Sequence, residues 1–253
     1  MNIDALEKLI RQQMRKRNTP GLALSVIKDD KVLLAKGYGA RDLKHYLPMT
    51  PDTLIGIGSV TKSLTAFAVL VLEERGLLSI EDSVADYLSV DLFVARPEIK
   101  IKHMLSHSSG IPTMDAGNNC FHYAFDDFSR VYPAESREDF FAHLNDAADF
   151  ILYKPGEHFF YNNDCYTCLT YMIEDITGQS FEAFMQEAIL QPLNMTRAVM
   201  TQNGLDGDPD NNVMTGYLPD IKEGKTQLKA SAIPIDGKVR AAGGLYADRK
   251  SVV

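Results

Sequence analysis

Hydrophobic positions follow two different spacings in the first fifth of this 253-residue chain. Apolar residues recur with helical spacing over 3–17, which predicts an amphipathic helix. Two short apolar-rich runs, 22–27 and 32–39, then flank the dipeptide Asp29-Asp30. These runs predict a β-hairpin that turns at the two aspartates.

From Pro51 onward the apolar pattern is mostly helical. Residues 64–72 are apolar on every side except at Thr65, so the helix that contains them is predicted to be buried all round. A long irregular segment with several aromatic residues covers 113–134. The predicted helices span residues 59–75, 83–87, 102–106, 136–152, 164–177 and 181–190.

Ser59 and Lys62 are three residues apart at the start of the helix predicted over 59–75. Residues three apart share a helix face, so the lysine amine is expected beside the serine oxygen. A serine becomes a strong nucleophile when a nearby base takes its proton, and desolvation favours the neutral amine that such a base requires. The spacing therefore indicates a nucleophile and its base. An ordinary capping serine with a solvated lysine explains this segment alone equally well.

The segment Ser25-Val26-Ile27-Lys28 has the same Ser-x-x-Lys spacing. It lies in a predicted strand, where side chains three apart point to opposite faces. Ser25 and Lys28 are therefore not expected to form a pair, and the four-residue pattern has meaning only in a helical context.

Tyr161 and Asn163 form the single Tyr-x-Asn in the chain, just before the helix predicted over 164–177. A tyrosine on a short loop can pass a proton to a leaving group, and an asparagine amide can donate to a substrate carbonyl. Ordinary loop packing is the competing interpretation of this tripeptide.

Four motifs, in order, resemble the serine beta-lactamase-related family, which includes class C beta-lactamases, DD-peptidases, D-aminopeptidases and family VIII esterases. They are Ser59-x-x-Lys62, the segment 101–112 with His107-Ser108-Ser109-Gly110, Tyr161-x-Asn163, and Ala242-Gly243-Gly244-Leu245-Tyr246. The resemblance implies an α/β fold of the α+β type, with an antiparallel sheet domain, incomplete here, and a mostly helical domain. Residues 1–50 are then predicted to begin the sheet domain, and 51–253 to form the helical domain that carries Ser-x-x-Lys and Tyr-x-Asn.

The resemblance also implies a role for each matching residue. Ser59 is expected to be the acylated nucleophile, Lys62 its proton acceptor, Tyr161 the acid or base toward the leaving group, and Asn163 a substrate-positioning amide. Whether Lys62 or Tyr161 acts as the base in acylation stays open. The backbone N–H of Ser59 would be one oxyanion donor, and His107 is expected to hold its own turn. The implied activity is that of a serine hydrolase acting on a beta-lactam, D-amino-acid peptide or ester; slow deacylation would instead make it a covalent penicillin-binding protein.

A third family motif, Lys or His followed by a residue and Gly on a strand, is not found after the helical region. Lys154-Pro155-Gly156 has this spelling, but it precedes Tyr161 and is predicted to be a turn. The chain is therefore expected to be truncated at its carboxyl end and to hold about half of the family's site. A noncatalytic binding or regulatory protein on the same fold is the alternative. A Ser-His-Asp hydrolase is disfavoured because the glycines before Ser59 do not form a Gly-x-Ser-x-Gly elbow.

Composition narrows the partners. The formal net charge of −8 argues against a nucleic-acid partner, which would require a concentrated basic surface. No apolar run approaches a membrane span and no secretory signal is visible, so a cytoplasmic location is expected unless a leader was removed. The three cysteines are expected to be reduced and packed, with no metal and no cofactor. A small-molecule or peptide substrate is the expected partner, and the oligomeric state stays open.

Overall fold

The computed structural model describes residues 2–113, 136–222, 225–231, 240–249 and 251. Nearly all of the irregular segment predicted over 113–134 lies outside these residues, and so does Cys120.

The amino-terminal region consists of helix α1 (Ile3–Arg17) and strands β1 (Gly21–Lys28) and β2 (Lys31–Asp42). β1 and β2 pair antiparallel, and a short strand β3 (Leu47–Pro48) pairs with β2 to give the order β1-β2-β3. The hairpin turns at Asp29-Asp30, both with positive φ, as a two-residue turn that follows the twist of the strands requires. The predicted helix and hairpin are confirmed.

Two short strands join distant parts of the chain beside the serine motif. β4 (Ile55–Gly56) pairs antiparallel with β7 (Tyr246–Ala247). Gly56 packs so closely on the ring of Tyr246 that an added Cβ would lie 3.1 Å from it. The pairing fixes the segment after residue 240 against the chain that leads into Ser59.

Helix α2 spans Thr61–Glu74, directly after a 3₁₀ turn at Gly58–Val60. The sequence predicted that Ser59 is the first residue of the helix. It lies instead in the 3₁₀ turn, two residues before the first α-helical residue. The 3₁₀ turn has three residues per turn, so Ser59 and Lys62 still share one face.

Most of the other helices agree with the predicted set, with ends shifted by a few residues. The segment 136–152 divides into a helix (Arg137–Asn145) and a 3₁₀ turn (Asp146–Phe150). Residues 84–86 form only a 3₁₀ turn, and a π-helical turn (Gln186–Leu190) follows the helix Phe181–Met185. The helices that the sequence did not predict have only four or five residues, which is too short for an apolar periodicity to be recognised. The helices are α3 (Asp91–Ala95), α4 (Ile101–Leu105), α5 (Arg137–Asn145), α6 (Asn163–Thr177), α7 (Phe181–Met185), α8 (Gln202–Asp206) and α9 (Arg240–Gly243).

The main hydrophobic core lies between these helices, with α6 at its centre. Ten consecutive residues of α6, Asp164 to Ile173, are buried. Side chains from α2, α5 and α7 pack into the same cluster, among them Leu72, Phe140 and Phe184. This core supports the turn that carries Ser59 and the loop that carries Tyr161.

Helix α2 is not buried all round, and the prediction on this point is wrong. One face, with Thr65, Val69 and Leu72, is inaccessible to solvent, whereas Phe67 is 50% and Leu70 is 43% exposed on another. An apolar sequence without a polar stripe indicates burial, but here the described residues cover α2 on one side only.

The helical prediction for 51–253 also misses a second hairpin. β5 (Gly216–Lys222) and β6 (Lys225–Ser231) pair antiparallel along their whole length. Lysines, an aspartate and Pro219 interrupt these strands, so their apolar alternation is weak. The domain boundary at residue 50 stays a prediction.

Candidate active site

Ser59 is exposed and lies within hydrogen-bond distance of two groups that can take its proton. The Tyr161 hydroxyl donates to Ser59 Oγ over 2.6 Å, and Lys62 Nζ donates to the same oxygen over 3.3 Å. Lys62 comes from the first turn of α2, and Tyr161 comes from the loop before α6. The structure therefore brings Ser59, Lys62 and Tyr161 together, as predicted.

Lys62 is 5% exposed, although its amine borders the open site. Burial lowers the pKa of Lys62 below its usual 10.5, while the hydrogen bond and charge of Tyr161 oppose this shift. The amine lies 4.9 Å from the ring centroid of Tyr161, over a π face that favours a cation. Burial of Lys62 thus increases the fraction of its amine that is neutral, compared with an ordinary lysine at the same pH.

A backbone carbonyl near the end of the described chain orients the lysine. Lys62 Nζ donates to Ala242 O over 2.5 Å. The next turn of α2 repeats this contact, because Thr65 Oγ1 donates to Ala241 O over 2.9 Å. The motif Ala242-Gly243-Gly244 was recognised in the sequence, but its residue types do not indicate that its backbone binds the lysine.

Tyr161 is held on its loop by backbone contacts. Thr113 Oγ1 donates to Tyr161 O over 3.0 Å. The next residue, Asn162, is fully buried; its Oδ1 accepts from Cys165 N as the N-cap of α6, and its Nδ2 donates to Ile111 O over 3.0 Å. Sequence reasoning gave Asn162 no role, although Asn before a helix is a strong capping signal.

Asn163 is half-buried at the first position of α6, two residues after Tyr161. The backbone carbonyl of Asn163 accepts a hydrogen bond from Thr167 Oγ1, one turn further along α6, over 3.3 Å. Its role as a substrate-positioning amide stays a prediction.

Tyr166 is a second tyrosine near Lys62, but its hydroxyl has another function. The Lys62 amine lies 5.4 Å from the Tyr166 ring centroid. The Tyr166 hydroxyl donates to Leu105 O over 2.9 Å, and burial raises its pKa to about 12. A phenol that stays protonated and donates to a carbonyl is a poor proton acceptor, so Tyr161 is the better candidate.

Several other predictions concern residues away from this centre. Ser25 and Lys28 lie on β1, and Ser25 Oγ donates to Arg249 O over 3.1 Å, so the strand prediction is confirmed. Lys154-Pro155-Gly156 forms the predicted turn, closed by Glu157 N donating to Lys154 O over 3.2 Å. The thiols of Cys165 and Cys168 are free and buried, and burial raises the pKa of both.

Neither a cluster of metal-ligating side chains nor a membrane-spanning helix is found in the part of the chain that the structure describes. Within residues 2–113, 136–222, 225–231 and 240–249, no three His, Cys, Asp or Glu side chains are grouped as metal ligands would be. Among these same residues, every helix is too short or too polar to span a lipid bilayer.

Comparison with known proteins identifies the family. The sequence profile of the Beta-lactamase family matches residues 6–250. "Protein flp" of Staphylococcus aureus (strain MRSA252) is 30% identical over 206 residues, which cover 78% of this chain and 38% of that protein. "Putative penicillin-binding protein PbpX" of Bacillus subtilis (strain 168) is 28% identical over 233 residues, which cover 85% of this chain and 54% of that protein.

Solved structures agree with this assignment. The octameric penicillin-binding protein homologue from Pyrococcus abyssi superposes with a TM-score of 0.90 at 34% identity, over all of this chain and 55% of that one. A penicillin-binding protein from Bacillus halodurans has the same fold, with a TM-score of 0.74 at 24% identity over 96% of this chain and 69% of that one.

The chain therefore belongs to the beta-lactamase family and has a mixed α/β, penicillin-binding-protein-like fold. The chain spans 38% of the length of the Staphylococcus aureus protein and 54% of the length of the Bacillus subtilis protein.

Proposed function

We propose that this protein is a serine hydrolase that forms an acyl-enzyme on Ser59. The observation that carries the proposal is the placement of Ser59 Oγ between the Lys62 amine and the Tyr161 hydroxyl, at 3.3 and 2.6 Å. A nucleophile that contacts two potential proton carriers can lose its proton during attack and have it returned to the leaving group.

In the proposed acylation, the Ser59 proton passes to Lys62 or Tyr161 as Ser59 Oγ forms a bond to the substrate carbonyl carbon. The bond from this carbon to the leaving nitrogen or oxygen then breaks, and the leaving group receives the proton. Water next attacks the acyl-enzyme carbonyl, and the bond to Ser59 breaks. The sum is substrate plus water giving a carboxylic acid and an amine or alcohol.

Lys62 is better suited than an ordinary lysine to begin this sequence. One of its N–H groups donates to Ala242 O, and the neutral amine keeps a lone pair for the serine proton. Burial lowers its pKa and so increases the neutral fraction at a given pH. The Tyr161 hydroxyl is close enough to Ser59 Oγ to share the proton, so the two groups are proposed to act together.

The proposed substrate class is a carboxyl derivative such as a beta-lactam, a D-amino-acid peptide or an ester. Similarity to penicillin-binding proteins supports this class, and Asn163 is proposed to donate its amide to the substrate carbonyl. Assembly into oligomers like the octamer of the Pyrococcus abyssi protein is also a proposal, which light scattering on the purified protein would test.

Intact mass spectrometry with a fluorophosphonate probe tests the acyl-enzyme proposal. Attack by Ser59 on the probe phosphorus releases fluoride and leaves one covalent adduct, which is expected in wild type and in Ser25→Ala but not in Ser59→Ala. Ser25 is the matched control, because it begins the other Ser-x-x-Lys segment. An unmodified wild-type protein, or equal labelling of Ser59→Ala, would refute the proposal and favour a noncatalytic binding protein.

A further inference from the structure

His107 lies beside the candidate active site but takes no part in the proton transfers described above. It lies two residues after the end of α4 and is buried, with 9% of its surface exposed. Its φ is 54°, in the left-handed region that is uncommon for residues other than glycine, although asparagine, aspartate and histidine adopt it more often than the rest. A buried imidazole in a strained backbone conformation requires a physical reason.

The contacts of His107 lie on both sides of Tyr161. The backbone N–H of Phe160 donates to His107 O over 2.7 Å. The backbone N–H of Asn162 donates to His107 Nδ1 over 3.1 Å. The residues immediately before and after Tyr161 are thus bound to one residue, through its main chain and its side chain.

The imidazole also contacts the phenol ring directly. The ring centroids of His107 and Tyr161 are 4.4 Å apart, with an angle of 37° between the ring planes. On the same imidazole, the Tyr166 ring packs at 5.2 Å and the Phe159 ring packs edge-on at 5.7 Å. The Tyr161 ring, although 44% exposed, is therefore in contact with a buried imidazole that other rings hold in place.

The charge state of His107 fits this arrangement. Nδ1 accepts a hydrogen bond, so a neutral ring carries its proton on Nε2. Burial lowers the pKa of His107, and the charge of Lys62 lowers it further. Among the residues that the structure describes, the titratable groups that face the ring are Lys62 from α2, Tyr161 from its loop and Tyr166 from α6. None of these three is a carboxylate that would favour an imidazolium.

We infer that His107 is a positioning residue for Tyr161, holding the phenol against Ser59 through two bonds to the flanking backbone and through ring contact. The inference rests on the proposed function, because positioning Tyr161 matters for rate only if Tyr161 moves a proton. It also explains why an imidazole occupies this turn, since no smaller side chain supplies both the acceptor and the ring face.

Two substitutions separate these contributions. In His107→Asn, Oδ1 takes the place of Nδ1 as acceptor for Asn162 N–H, and asparagine tolerates positive φ, but the ring contact is lost. In His107→Phe the ring is kept and the acceptor is lost. His107→Asn is the informative variant, because it keeps the backbone conformation and should fold.

Fluorophosphonate labelling of the whole protein at several probe concentrations gives the maximal labelling rate and the half-saturating concentration separately. For His107→Asn we expect the maximal rate to fall about 10- to 100-fold, with a nearly unchanged half-saturating concentration and a similar melting temperature. His107→Phe is expected to melt at a lower temperature and to be slower as well. A wild-type maximal rate in folded His107→Asn would overturn the inference.

A second measurement is independent of activity. In protein labelled with ¹³C at tyrosine rings, the Tyr161 signals are expected to shift or broaden in His107→Asn, while those of Tyr46, which is 90% exposed, stay unchanged. Unchanged Tyr161 signals would overturn the inference. Altered Tyr161 signals in a protein whose wild type shows no Ser59 adduct would support positioning by His107 while refuting the proposed hydrolase.

Discussion

Ser25-x-x-Lys28 and Ser59-x-x-Lys62 have the same four-residue spacing, but they differ in backbone conformation, in the burial of the lysine and in the contact between serine and lysine. The first pair lies on strand β1, where Ser25 Oγ donates to Arg249 O and Lys28 is exposed. In the second pair the lysine is 5% exposed and its amine lies 3.3 Å from the serine oxygen.

The difference between the pairs comes from secondary structure and from packing. On a turn of three residues, positions three apart meet on one face, whereas on a strand they point apart. Burial then changes the chemistry, since it lowers the pKa of Lys62. A short sequence motif thus predicts a reactive pair only where the backbone is helical and the lysine is desolvated.

The largest expected effect comes from removing each serine in turn. Ser59→Ala should reduce the rate of fluorophosphonate labelling at least about a thousandfold, because the nucleophile is lost. Ser25→Ala should leave the rate within about twofold, since its hydroxyl only contacts the Arg249 carbonyl. Mass spectrometry of intact protein over a time course measures both, and similar losses in the two variants would invalidate the comparison.

Substitution of the two lysines should give a somewhat smaller difference in labelling rate than substitution of the two serines. Lys62→Met keeps a side chain of similar length but removes the amine beside Ser59, and we expect labelling to slow by roughly 10²- to 10³-fold. Lys28→Met, at an exposed strand end, should not change the rate. The same labelling assay decides, and an active Lys62→Met protein would indicate that Tyr161 alone serves as the base.

The structural surroundings of the two pairs can be compared by leucine truncation. Leu72 on α2 is fully buried, whereas Leu33 on β2 is 41% exposed. Leu72→Ala should lower the free energy of unfolding by about 2–5 kcal/mol through the lost burial and the cavity. Leu33→Ala should cost less than about 1 kcal/mol. Urea denaturation monitored by circular dichroism measures both, and equal losses would contradict the difference in burial between these two leucines.

The smallest expected effect is a shift in pH dependence. Labelling should increase with pH as Lys62 loses its proton, with a midpoint below 10.5 because burial lowers the pKa of this lysine. The hydrogen bond and charge of Tyr161 act in the opposite direction, so Tyr161→Phe should move the midpoint to still lower pH. Tyr46→Phe, at an exposed tyrosine, is the control. A midpoint that moves to higher pH in Tyr161→Phe would show that Tyr161 does not stabilise the charged lysine.

Much of the fold follows from local sequence patterns. The stripe in α1, the Asp29-Asp30 turn and the helix predicted over 164–177, which forms α6, each depend on nearby residues. The β5–β6 hairpin and the exposed side of α2 could not be predicted in this way. Strand pairing and one-sided burial depend on which segments meet, and an apolar periodicity carries no information about the partner.

The family, the spacing that places Lys62 on the face of Ser59, and the loop that carries Tyr161 can be read from the residues of the chain alone. That Ala242 O binds the lysine amine and that His107 packs against the Tyr161 ring is known only from the folded structure. Both contacts join residues far apart in the chain, and one uses a backbone carbonyl that every residue type possesses. The first contact depends on how α9 packs beside α2, and the second on how α4 packs beside α6, which no local pattern encodes.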